Sequence, residues 1–326
     1  MTAGLQRRRT HDATAWRPGT VVLALSLPAL GAAATVVTPE QHGAVADGVA
    51  DDTRAVQAAI DSCGGAADGC TLLFAGSPGY RIGPVWLVSD MLVEVRRDST
   101  VWAANRTNWV AFHRFNSTDC CYPAVLNGEH LRNVTLTGDG VIDGDGGSGW
   151  WQYTWDDKKH PPGSLNDYRP HLTGFIDVHG LRIGGGLTLR NSPNHHIWLQ
   201  DSVGARIGGV AGELSIYAPA VQGAGLPGTD FRQGSPNTDG INVAGGTDTL
   251  IESINVHNND DCVSVVASTT WRPRSAPSLS SGGVEQRASV VNGYGGNVIV
   301  RNISCTYSHG LSIGSVTHGI VTNVRT

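Results

Sequence analysis

Apolar residues fall in short runs separated by Asn, Asp, Gly and Ser, and one early stretch alone repeats them at helical spacing. That stretch, residues 54–60, puts Ala55, Val56, Ala59 and Ile60 on one face. Asp52 or Thr53 serves as its N-cap, and it ends near Cys63-Gly64-Gly65. From Thr71 onward the helical period is gone. Residues 71–74, 92–95, 134–136, 181–183, 187–189, 197–199 and 250–254 are β-rich runs and are predicted as strands. Hairpins would place two-residue Asn-Gly or Asp-Gly turns between paired strands. Strand–turn units instead recur about every 20–25 residues from Leu131 onward, as in a solenoid whose coils stack on one another. The predicted fold is all-β, a single-stranded parallel β-helix, with the short helix capping its open N-terminal end. A β-sandwich is the alternative.

Composition narrows the function. Of 326 residues, 40% are apolar, so the chain is not of the disordered class. The net charge of −5 gives no footprint for nucleic acid, and any anion must meet a local cluster. The only lysines are Lys158 and Lys159. Arg7, Arg8, Arg9 and Arg17 precede an apolar stretch at 21–30 and the run Gly31-Ala32-Ala33-Ala34, which reads as a cleaved signal peptide at 1–34. With the alanines the stretch is roughly 14 residues, too short to span a bilayer comfortably. Sequons at Asn105, Asn116, Asn133 and Asn302, and an even six cysteines, agree with export. The expected product is a secreted, extracellular glycoprotein, monomeric and off the membrane once the signal is cut, with its catalytic domain at 35–326. Residues 268–292, rich in Ser, Pro and Arg, interrupt the rhythm and read as an inserted loop or an error in the gene model.

Three motifs cluster late in the chain: Asn237-Thr238-Asp239-Gly240, Asp260-Asp261-Cys262, and 308–315, which begins Ser308-His309-Gly310-Leu311-Ser312. Asp239 and Asp260 are separated by about one coil, and equivalent positions on adjacent coils sit about 4.8 Å apart. Carboxylates stacked so closely repel, which raises one pKa and keeps one acid protonated. Glycoside hydrolysis needs that division, an acid for the leaving oxygen and a base for water. Asp261 joins the same site only at a turn or bulge, because consecutive strand residues face opposite ways. The competing reading is an Asx-turn with solvated carboxylates at a coil corner.

In their order, these motifs resemble the polygalacturonase family of glycoside hydrolases. So do the stretch 43–53, the segment 138–144 followed by Trp150-Trp151, the pair Arg169-Pro170, and Asn191-Ser192-Pro193. The resemblance implies a right-handed β-helix, a pectic polysaccharide substrate and inverting hydrolysis of α-1,4-linked galacturonate, without cofactor or metal. It assigns Asp260 as general acid, Asp239 and Asp261 as the carboxylates that activate water, and His309 as the neighbour holding the acid's protonation state. Asn237, Gly310 and Ser312 become candidates for holding substrate. Cys262 and Cys305 match a disulfide between the catalytic coils. Cys63 and Cys70 could close a small loop after the helix, and the state of adjacent Cys120 and Cys121 stays open.

Two departures lower the expected activity. The family's Arg-Ile-Lys segment, which binds the substrate carboxylate, is absent before Thr326, so the resemblance predicts a C-terminally truncated chain that is poorly active or inactive. Ser308 also replaces a glycine, which predicts backbone restriction. Other signals count for less. His195-His196 lacks ligand-type partners and reads as an exposed loop, and Asp143-Gly144-Asp145-Gly146 reads as a turn because the later calcium ligands are missing. Trp150, Trp151 and Trp155 fit either core or sugar groove. The competing functions are a calcium-dependent pectate lyase using the same aspartates and an inactive carbohydrate-binding remnant.

Overall fold

The computed structural model describes residues 35–66, 68–105, 109, 123–151, 169–209, 212–219, 234–267, 293–313 and 319–326. The predicted leader, Asn116, Cys120, Cys121, Trp155, the two lysines and the 268–292 insert lie outside the described residues. Among the described residues every strand pair is parallel, and the strands form a 15-stranded and a 7-stranded sheet. Two long strands, Gly246–His257 and Gly293–Thr306, run around a corner and so join two faces of the coil into the larger sheet. The smaller sheet is the third face. Its strands run from Val85–Trp86 through Ile197–Gln200 and Ile241–Ala244 to Asp261–Val266 and Gly310–Ile313.

Alternation along each strand makes the coils stack. Leu72, Val93, Leu136, Ile183, Ile207, Ile251 and Val300 pair in sequence from coil to coil, forming one aliphatic column inside the helix. All seven are buried, and each contributes about 1.5–3 kcal/mol relative to exposure. Corners are turned by residues with positive φ, where Asn and Asp are tolerated. Their side chains stack as well: Asn133 Nδ2 donates to Asp90 (2.8 Å), Asn297 Nδ2 to Asp248 (3.1 Å) and Asn302 Nδ2 to Ser253 (3.1 Å). Two of the four sequon asparagines, Asn133 and Asn302, thus serve as corner rungs.

The coil repeat differs from the expected one. Thr173 pairs with Ile197 and Arg182 with Arg206, a compact coil of 24 residues. Ile197 pairs with Ile241, however, and Leu250 with Ile299, so register partners there stand 44 and 49 residues apart. The helix Thr53–Ser62 buries Val56, Ala59 and Ile60 against the first coil. Its Gln57 amide donates to the Trp86 carbonyl and accepts from the Trp86 N–H, closing the edge of the smaller sheet. Asp52 stands at the N-cap, but its carboxylate turns back to accept from the Val45 and Ala46 amides. Cys63 and Cys70 are bonded after the helix, as expected. Among the described residues no helix is long and apolar enough to cross a membrane.

Trp150 and Trp151 are core residues, buried at the edge of Trp109 and beneath Ser192. The 143–146 segment is a turn whose acids are already paired, Asp143 with Arg190 (2.6 Å) and Asp145 with Arg81 (3.0 Å).

Candidate active site

Three loops deliver the late motifs to the start of the smaller sheet. Ile241 pairs with Val263, and the Gly240 N–H donates to the Asp261 carbonyl at 2.9 Å. The register therefore sets Asp239 beside Asp261, and the expected stacking of Asp239 on Asp260 is off by one residue. On the following coil Asp261 pairs with Gly310 but Val263 pairs with Leu311, which leaves Cys262 as the extra residue of a β-bulge. A regular strand would send Asp260 and Asp261 to opposite faces. The bend before them and the bulge after them bring both to His309, whose Nδ1 lies 3.3 Å from Asp260 Oδ1 and 4.0 Å from Asp261 Oδ1. Cys262 is bonded to Cys305, so the disulfide pins the bulge to the coil that carries His309.

Around these groups every loop is tied down. Asn258, fully buried, donates to the carbonyls of Thr238 (2.9 Å) and Asp261 (2.8 Å), locking the two acid-bearing loops together. Asn237 is exposed, and its side chain is held from both ends. Its Oδ1 accepts from Arg169 at 2.6 Å and its Nδ2 donates to Asp260 Oδ2 at 3.3 Å. Arg169 also binds the carbonyls of Pro193 and Pro236. Ser312 hydrogen-bonds Asp261 and lowers its pKa, so this candidate for substrate binding also supports an acid. Gly310 has φ +88°, where a side chain would be strained.

Two expectations are corrected here. Positive φ falls on Tyr307 (56°), not on Ser308. Ser308 Oγ donates to the Asp260 carbonyl (2.9 Å) and accepts from the Gly310 amide (3.0 Å), bracketing His309. His195 and His196 are not on an exposed loop. His196 is buried with its Nδ1 on the Asp239 carbonyl (3.1 Å), and His195 stands 3.7 Å from the Asp239 carboxylate.

Burial and mutual repulsion shift all three acids in the same direction. Burial pushes Asp239 up to about 6, opposed by the Asn242 hydrogen bond and reinforced by repulsion from Asp261. Burial and then repulsion from Asp239 raise Asp260, while the charge of His309 opposes them. Asp261 is raised by burial and by Asp260. For stability the sign follows from proton binding. Asp239 binds its proton more tightly folded than unfolded, so its contribution is complete below about pH 3.8 and is lost as pH rises through about 6. Asp239→Asn is expected to remove that loss and raise stability at neutral pH by about 2–3 kcal/mol. Denaturant melts of both proteins at acidic and neutral pH check this, and an equal gain at both pH values would contradict it.

An open face of a parallel β-helix that gathers three carboxylates with shifted proton affinities and one histidine has the parts that glycoside hydrolysis requires. Residues 94–326 match the family described as glycosyl hydrolases family 28, and the chain belongs to that family. It is similar to a probable polygalacturonase of Vitis vinifera, 29% identical over 76% of this chain and 48% of the relative. It is also similar to a probable endo-xylogalacturonan hydrolase A of Aspergillus fumigatus, 27% identical over 82% and 52%. The chain spans about half the length of these curated relatives. Among solved structures, the exopolygalacturonase of Thermotoga maritima superposes with a TM-score of 0.66 at 22% identity, covering 89% of this chain and 64% of that one. A polygalacturonase from Erwinia carotovora gives 0.65 at 20%, covering 92% and 70%. These likenesses establish the fold as a right-handed parallel β-helix.

Proposed function

We propose that the protein hydrolyses α-1,4-galacturonosidic bonds of pectic polysaccharide with inversion at the anomeric carbon. The observation that carries this reading is the convergence of Asp260 and Asp261 on His309, with Asp239 in register beside Asp261. Asp260, whose proton is held more tightly through burial and repulsion from Asp239, gives that proton to the leaving oxygen. His309 then stabilises the carboxylate left behind. Asp239 and Asp261 accept the proton of the attacking water. Asp260, Asp261 and His309 could each turn one ligand atom toward a common point, all within 4.8 Å. A calcium ion takes six to eight oxygens, and two carboxylates with an imidazole do not match it, which disfavours a calcium-dependent lyase.

Residues 1–34 are read as an export leader and 35–326 as the catalytic β-helix; N-terminal sequencing of protein from the medium checks the boundary. The two disulfides suit an oxidising compartment. Incubation with de-esterified polygalacturonate and chelator is expected to release reducing ends without unsaturated product. Early proton NMR spectra should show the β-anomer, because inversion at an α-linkage yields β. Unsaturated ends would establish elimination, and retention of pectin with no product would make the protein a binder.

A further inference from the structure

We propose that His195 is a positioning residue for Asp239, acting through the side-chain amide of Asn242. The inference rests on reading Asp239 as a water-activating carboxylate. Asn242 Nδ2 donates to Asp239 Oδ2 at 3.2 Å and also to Nδ1 of His195, which itself lies 3.7 Å from the same oxygen. An amide nitrogen only donates, so His195 Nδ1 must accept, and the neutral ring carries its proton on Nε2.

The imidazole is built into the wall. His171 and Trp198 meet it edge-on, with ring centroids 4.8 Å and 5.5 Å away, and stack on each other at 5.2 Å with planes 1° apart. Trp198 and Asn242 are register partners on neighbouring coils, so the same backbone pairing sets ring and amide. Burial first, and then the charge of Arg169, lower the His195 pKa to about 3, which keeps Nδ1 available as an acceptor. With that acceptor in place the amide of Asn242 has one favourable orientation. Without it the amide can rotate and turn its oxygen toward Asp239, replacing attraction by repulsion. The other titratable or charged groups facing this pair are Asp260, Asp261 and His309 around Asp239, and His171, His196 and Arg169 around His195.

Two measurements test the assignment. Long-range proton–nitrogen NMR on histidine-labelled protein, with the His195 signal identified by its loss in His195→Gln, reads the tautomer without any turnover. A neutral Nε2–H ring from about pH 5 to about pH 8 is expected; an Nδ1–H tautomer or a charged ring would overturn the proposal. On polygalacturonate, His195→Leu is expected to move the acidic limb of the kcat profile to higher pH and lower kcat about tenfold with little change in KM. His195→Gln, whose Oε1 can accept the same hydrogen bond, should keep the limb near its original position. Equal limbs in all three proteins would refute the relay. Absence of hydrolysis alongside the expected tautomer would count against the proposed activity and leave the side-chain arrangement standing.

Discussion

Asp260→Asn is expected to lower kcat on polygalacturonate by about 10²–10⁴-fold, the usual contribution of a general acid, with KM little changed. The substitution keeps size and polarity but leaves no proton to deliver. Asp260 also accepts two hydrogen bonds, from the Asp261 amide on Oδ1 and from Asn237 on Oδ2. An asparagine can accept only one of them and must turn its NH₂ toward the other donor. The fold is therefore expected to persist with a slightly loosened loop, which circular dichroism and the melting profile report alongside the rates. Loss of both KM and stability would indicate that Asp260 is mainly structural. Full activity would remove it from the mechanism and leave Asp261 as the acid nearest His309.

Cys305→Ser is expected to cost roughly 4 kcal/mol, because the bond to Cys262 closes 43 residues and constrains the unfolded chain strongly. The local effect matters as much. Cys262 is the buried extra residue of the bulge that turns Asp260 and Asp261 to one side. Freed from Cys305, the coil carrying His309 can shift against them, so activity should fall below what the stability loss alone predicts. Guanidinium unfolding monitored with and without reductant is the measurement. Under reductant, which opens Cys63–Cys70 in both proteins, the two midpoints should coincide, whereas without it the variant should lie lower; equal midpoints without reductant would show that the disulfide contributes little.

Much of the architecture was legible because its physics is local. Alternation at 71–74, 92–95 and 197–199 marks strands directly, and the observed strands extend these runs by a residue. The helix was equally plain from its apolar face and the Cys63 stop. The uniform period was not correct, since register partners stand 24 residues apart at Thr173 and Ile197 but 44 apart at Ile197 and Ile241. Asp239 was misplaced by one residue because register belongs to paired backbones and not to separation along the chain. Stacking explains His195 and His196: two adjacent histidines between β-runs look solvated until neighbouring coils bury His196 and cover most of His195.

By itself the sequence determined the strand-forming runs, the capping helix and the cysteine that follows the paired acids, for which side-chain type and short-range pattern are enough. Asp239, Asp260, Asp261 and His309 came forward as candidates through the ordered motifs of the family resemblance. Only the tertiary structure decided that Asn237 holds Asp260, that Ser308 brackets His309, that Asn258 ties the loops, and that Asn242 links His195 to Asp239. Each of these contacts joins residues through the register of stacked coils or through a bulge. A shift of one residue in pairing would replace every partner without changing a single letter of the pattern.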